Sequence, residues 1–131
     1  MSERFLKILA IARDNIRLNP SLVGRPTDEV ALQYLDGLKD EVEEVRAEIR
    51  HQNSVRLEDE LSDIAWDYAC LLAQLEAGGY IENIDEVLEH GFKKYSERAP
   101  AFLEKSEDAW EAVKKLQKTE LAHRHEEKYG I

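Results

Sequence analysis

The chain has 131 residues, enough for one domain and too few for two with separate cores. Charged residues make up 35% of it and the formal net charge is −10, so it lacks the cationic excess that a duplex nucleic acid or an anionic membrane surface requires. A single cysteine, Cys70, excludes an intramolecular disulfide, and with no apolar signal segment or membrane-length run the expected location is the cytoplasm.

In chain order, apolar periodicity predicts a first helix over about residues 2–18, stopped by Asn19-Pro20. Residues 19–26 read as a loop with Gly24 and Pro26. Thr27 is placed to cap a second helix, with Asp28 and Glu29 in the first turn where the helix dipole favours negative charge. That helix is expected to reach about His51. Gln52-Asn53-Ser54 reads as a short connection to a third helix, from about Leu57 to Ala77, ended by Gly78-Gly79. Asn83 with Glu86 resembles a capping box for a fourth helix lasting to about Arg98. Pro100 interrupts, and a fifth helix fills much of the remainder before a charged tail from about Glu120. No segment alternates long enough for a strand. The expected class is all-α: one domain over residues 1–131, a bundle of about five helices around a central antiparallel hairpin, completed by oligomerisation.

The hairpin helices carry the chemistry. Glu41, Glu44 and Glu48 recur at i, i+3 and i+7, as do Glu60, Asp63 and Asp67. At about 100° per residue, each set edges an apolar stripe: Tyr34, Leu35, Leu38, Val42, Val45 and Ile49 on one helix, Leu57, Leu61, Ile64, Tyr68, Leu71 and Leu75 on the other. Gly37 falls in the same acidic sector. Glu41, Glu44 and Asp63 have no Lys or Arg at i±4, so helix ion pairs do not account for them. Carboxylates crowded across a helical hairpin repel one another unless a divalent cation sits between them. Opposite its stripe the third helix offers Ala65, Trp66, Ala69, Cys70 and Ala73, so it must be buried on two sides, which a partner subunit accomplishes readily.

At this point Glu41-x-x-Glu44 followed by Glu60-x-x-Asp63 resembles the EXXE…EXXD signature of the MazG-like all-α nucleoside triphosphate pyrophosphohydrolases. Lys94, Arg98, Pro100 and Phe102 resemble that family's Lys…Arg…Pro…Phe segment, and the resemblance covers about residues 27–103. The Cys-Pro-Trp-Asp entry segment of longer members is replaced by Asn19 to Pro26, and Ala99 and Ala101 flank the proline where histidines often stand. The resemblance implies hydrolysis of a nucleoside triphosphate to the monophosphate and pyrophosphate, as in house-cleaning of nucleotide pools. It implies Mg²⁺, with Mn²⁺ as a substitute, held by Glu41, Glu44, Glu60 and Asp63. One carboxylate would take the proton of the attacking water, and Lys94 with Arg98 would clasp phosphate oxygens. Glu48 and Asp67 lie outside the motif, as supporting or interface residues. Tyr34, Trp66 and Tyr68 are candidate base-stacking aromatics. A homodimer or homotetramer is expected, with neither nucleic acid nor membrane as partner.

Two rival readings remain at this level. Glu48-x-x-His51 and Glu120-x-x-His123 match the Glu-x-x-His element of carboxylate-bridged di-iron bundles. Alternatively, the acidic ridges solvate a non-catalytic helical module that binds a protein partner. His90, His123 and His125 form no defensible zinc constellation and read as surface residues.

Overall fold

The computed structural model describes residues 2–19, 26–103 and 107–131, without the side chains of residues 2 and 101–103. Every regular element among the described residues is a helix: α1 (Ser2–Leu18), α2 (Asp28–Glu48), α3 (Ser54–Ala77), α4 (Ile84–Leu103) and α5 (Glu107–Tyr129). The loop expected around Gly24 and the side chain of Phe102 lie outside the described residues. Contacts divide the chain into two compact units, Met1–Ile84 and Asp85–Ile131.

In the first unit Thr27 caps α2 as expected, its Oγ1 accepting the Val30 N–H at 3.3 Å. The helix ends at Glu48, one turn earlier than expected, because the connection makes its own bonds. Asn53 Nδ2 donates to the Glu48 carbonyl at 2.8 Å and to Glu48 Oε2 at 2.6 Å, and Gln52 takes a left-handed φ of 56°. The turn folds α2 back along α3: residue 37 faces residue 67, while Glu44 reaches Glu60, the descending order of an antiparallel pair.

α1 covers the other side of α3. Phe5 stacks on Tyr68 with ring centroids 6.5 Å apart, and Arg13 forks onto Glu76 with two 2.9 Å hydrogen bonds. Both contacts ascend together, so α1 runs parallel to α3. The core follows from this sandwich: Leu9 and Ala12 from α1, Ala31 from α2, and an unbroken buried run from Ala69 to Gln74 in α3. Alanines at 69 and 73, both essentially without exposed surface, let the neighbouring helices approach closely. The two-sided burial expected of α3 is therefore supplied within the chain for its C-terminal half. Its N-terminal half is more open, with Val55 and Leu61 exposed, and along α2 the stripe expected in the core leaves Leu35, Val42 and Ile49 exposed.

The Gly78-Gly79 stop is a Schellman turn: Tyr80 N–H donates to the Leu75 carbonyl at 2.9 Å and Gly79 N–H to that of Glu76 at 3.1 Å, with Gly79 at φ 78°. The Tyr80 ring lies over Gly78, where an added Cβ would come within 2.7 Å of it, and the Tyr80 hydroxyl bonds the Asp28 carboxylate.

In the second unit α4 continues through Pro100 to Leu103 rather than ending at Arg98. Pro100 stands in the last turn, where its missing N–H costs one bond and little helix follows. α5 also outruns expectation, through the charged tail to Tyr129, and buries no residue. Its last turns are helix formers supported by local pairs such as His123 with Glu127 at 3.0 Å.

Candidate metal centre

The hairpin puts two i, i+3 carboxylate pairs opposite each other. One oxygen from each of Glu41, Glu44, Glu60 and Asp63 lies within 4.8 Å of all the others. Glu41, Glu60 and Asp63 are half-buried and Glu44 is exposed. The Oε2 atoms of Glu41 and Glu60 are fully enclosed with no hydrogen-bond donor. Arg56, one turn before Glu60, forms no ion pair with it among the described residues. Enclosed oxygens without donors are costly unless a cation reaches them.

The electrostatics agree. The Glu41 carboxyl is pushed up to about 7, first by the hydrogen bond it shares with Glu44, then by burial and the charges of Glu44, Asp63 and Asp67. Glu60 is raised by burial first, then by its hydrogen bond and charge interaction with Glu44. Two carboxyls can hydrogen-bond only through a retained proton, and a value of about 7 leaves that proton about half in place near neutral pH. Four oxygen donors at this spacing suit a hard divalent ion that keeps part of its water shell.

The flanking acids separate. Asp67 belongs to the seam: its carboxyl is raised by burial, then by Asp63 and Glu44, and its Oδ2 would lie 3.7 Å from a Cβ at residue 37. Glu48 is taken up by the turn, bonded by Asn53 and 3.4 Å from Arg50 Nη1. Of the aromatics, Tyr68 is occupied by Phe5, and Tyr34 shares a hydrogen bond with the buried Gln74. The histidines of the di-iron reading stand elsewhere: His51 is in the exposed turn, and His123 pairs with Glu127.

Lys94 and Arg98 belong to the second unit. Arg98 is buried, its guanidinium 5.6 Å from the Tyr95 ring and 5.9 Å from the Trp110 ring, with Nε donating to Gln117 Oε1 at 2.7 Å. Gln117 Nε2 in turn donates to the Lys94 carbonyl at 3.0 Å, tying α5 to α4. Both cations line a cavity of about 190 Å³, together with Lys93, Lys118 and Arg124. These three escaped notice in the sequence. The signal was the spacing of Lys118, Leu121 and Arg124 along one helix face, hidden by ending the fifth helix at about Glu120.

No helix of the described residues is long and apolar enough to cross a membrane. A family model described as the MazG nucleotide pyrophosphohydrolase domain matches residues 30–103. That segment spans most of α2, all of α3 and α4, and therefore every residue of the carboxylate quartet. Neither the curated proteins nor the solved structures compared with the chain give a match. A match over more than half of the chain, coinciding with the clustered carboxylates, establishes that the chain belongs to the MazG family of nucleotide pyrophosphohydrolases, helical enzymes that depend on a divalent metal.

Proposed function

We propose that the protein hydrolyses a nucleoside triphosphate, a ribo- or deoxyribonucleotide with a standard or altered base, to the monophosphate and pyrophosphate, using Mg²⁺ and clearing nucleotide pools in the cytoplasm. The observation that carries this reading is the quartet of Glu41, Glu44, Glu60 and Asp63, with ligand oxygens within 4.8 Å of one another. These residues hold the ion; Mn²⁺, with similar oxygen preferences, substitutes for it. When bound, the ion neutralises phosphate charge and makes a bound water more acidic. A carboxylate of the quartet accepts the proton of the attacking water, and Lys94 and Arg98 bind phosphate oxygens.

The exposed stripe of Leu32, Leu35, Val42 and Ile49 on α2 supports a homodimer or homotetramer. Light scattering on the wild type and on Leu35→Glu with Val42→Glu tests this, with dissociation expected in the variant. For the reaction, a panel of nucleotides is assayed for pyrophosphate release with Mg²⁺ and with chelator. Glu44→Gln and Asp63→Asn should abolish release while the helical spectrum is kept. If no nucleotide in the panel yields pyrophosphate, the hydrolytic reading fails.

A further inference from the structure

The cavity between α4 and α5 holds, besides the Lys94 and Arg98 that the proposed reaction assigns to phosphate, further cations that the reaction does not require. Its volume of about 190 Å³ falls below the roughly 300–1,000 Å³ of pockets that enclose drug-sized ligands. It suits a small ion better than a whole nucleotide. Lys93, Lys94, Arg98 and His90 line it from α4, and Lys118 and Arg124 from α5. Glu97 and Glu120 also border it, and Glu97 Oε2 already accepts from Gln117 Nε2 at 2.9 Å.

In a chain of 28 acidic and 18 basic residues, clustered cations should find carboxylates. Among the described residues, none of Lys93, Lys118 and Arg124 has one within ion-pair distance. Arg98 is 8% exposed and held by two rings and by Gln117 through Nε, and no hydrogen bond among the described residues takes its Nη groups. A buried guanidinium fixed by stacking, with donors to spare and lysines beside it, is preorganised for a phosphate.

We propose that this cavity is an anion site for linked phosphates, those of inorganic pyrophosphate or of a nucleotide's polyphosphate tail, with Lys93, Lys118, Arg124 and the outer edge of Arg98 as donors. Lys118 and Arg124 lie beyond residues 30–103, so the family match does not reach them. The site needs no metal and no hydrolysis, and it stands or falls separately from the reaction proposed above.

The test is titration calorimetry of the full chain with inorganic pyrophosphate in EDTA, where the carboxylate quartet has no metal through which to recruit it. Saturable binding that weakens with added salt is expected. Lys118→Ala combined with Arg124→Ala should weaken it about tenfold without moving the unfolding midpoint, both side chains being exposed. No binding in EDTA, or an unchanged affinity in the double variant, overturns the proposal. Turnover with Mg²⁺ separates the two sources. A raised KM in the variant assigns the cavity to the nucleotide's own phosphates; an unchanged KM beside weakened pyrophosphate binding assigns it to a separate phosphate ligand. If no nucleotide is hydrolysed, the reaction is refuted while the EDTA titration still decides the cavity.

Discussion

Asp67 on α3 faces Gly37 on α2 so closely that a Cβ at residue 37 would stand 3.7 Å from Asp67 Oδ2. The space beside this glycine in the acidic sector is thus taken by a carboxylate of the opposite helix. A methyl group at that distance makes ordinary contact, whereas a longer side chain would meet Asp67 and wedge the seam. Gly37→Ala should therefore raise stability by up to about 1 kcal/mol through helix propensity, and Gly37→Leu should lower it and weaken metal binding. Thermal unfolding and metal titration of both variants check this.

The metal-free protein should lose stability as pH rises from about 4.5 to about 7. Glu41 is raised from 4.5 to about 7 in the folded chain, so the folded state holds the extra proton in that window. Its contribution is fully present below 4.5 and is lost as pH rises through the folded value. Metal must displace that proton, so Mg²⁺ binding at pH 6.5 should release protons and tighten as pH rises. Calorimetry in buffers of different ionisation enthalpy measures the release, and a Glu44→Gln variant should shrink it.

Arg13 and Glu76 should couple by about 1 kcal/mol in a double-mutant cycle, the upper range for partly exposed pairs. Glu76→Ala should cost more than Arg13→Ala, because Glu76 Oε2 also accepts the Ile84 N–H at 2.8 Å. The Glu76 carboxyl is lowered from 4.5, chiefly by its hydrogen bond with Arg13. Its contribution is present above 4.5 and is lost as pH falls through the folded value. Urea midpoints of wild type and variants at pH 3.5 and 7 report both effects.

Cys70 should resist thiol reagents. Burial first, and then the charge of Asp67, push its thiol up from 9.0 to about 11, leaving about a hundredfold less thiolate at neutral pH than the unshifted group has. Labelling by a disulfide reagent should be slow in the native protein and rapid in denaturant. Rapid native labelling would show that α3 opens readily around this residue.

What the sequence revealed and what it hid divide by range. Thr27, the Gly78-Gly79 stop and the quartet were legible because caps, turns and i, i+3 ridges involve residues within one or two helical turns. Glu76 gave no hint of its role, since Arg13 lies far away in the chain and Ile84 reaches it only across the Gly78-Gly79 turn. Glu48 looked like part of a ridge, and only the closed turn shows Asn53 taking it. Leu35, Val42 and Ile49 keep the spacing of a core stripe, but periodicity records only that a face is apolar. What covers that face depends on helix placement. Pro100 misled for the opposite reason: a rule about helix interiors was applied to a last turn that tolerates it.

All four clustered carboxylates fall between Glu41 and Asp63, on helices joined by one short turn. Closing so small a loop demands little chain entropy, so these oxygens assemble with the hairpin itself, ahead of distant contacts. The four carboxylates thus form a cassette that tolerates replacement of its surroundings. Changes elsewhere in the chain can alter those surroundings while the quartet itself passes on intact.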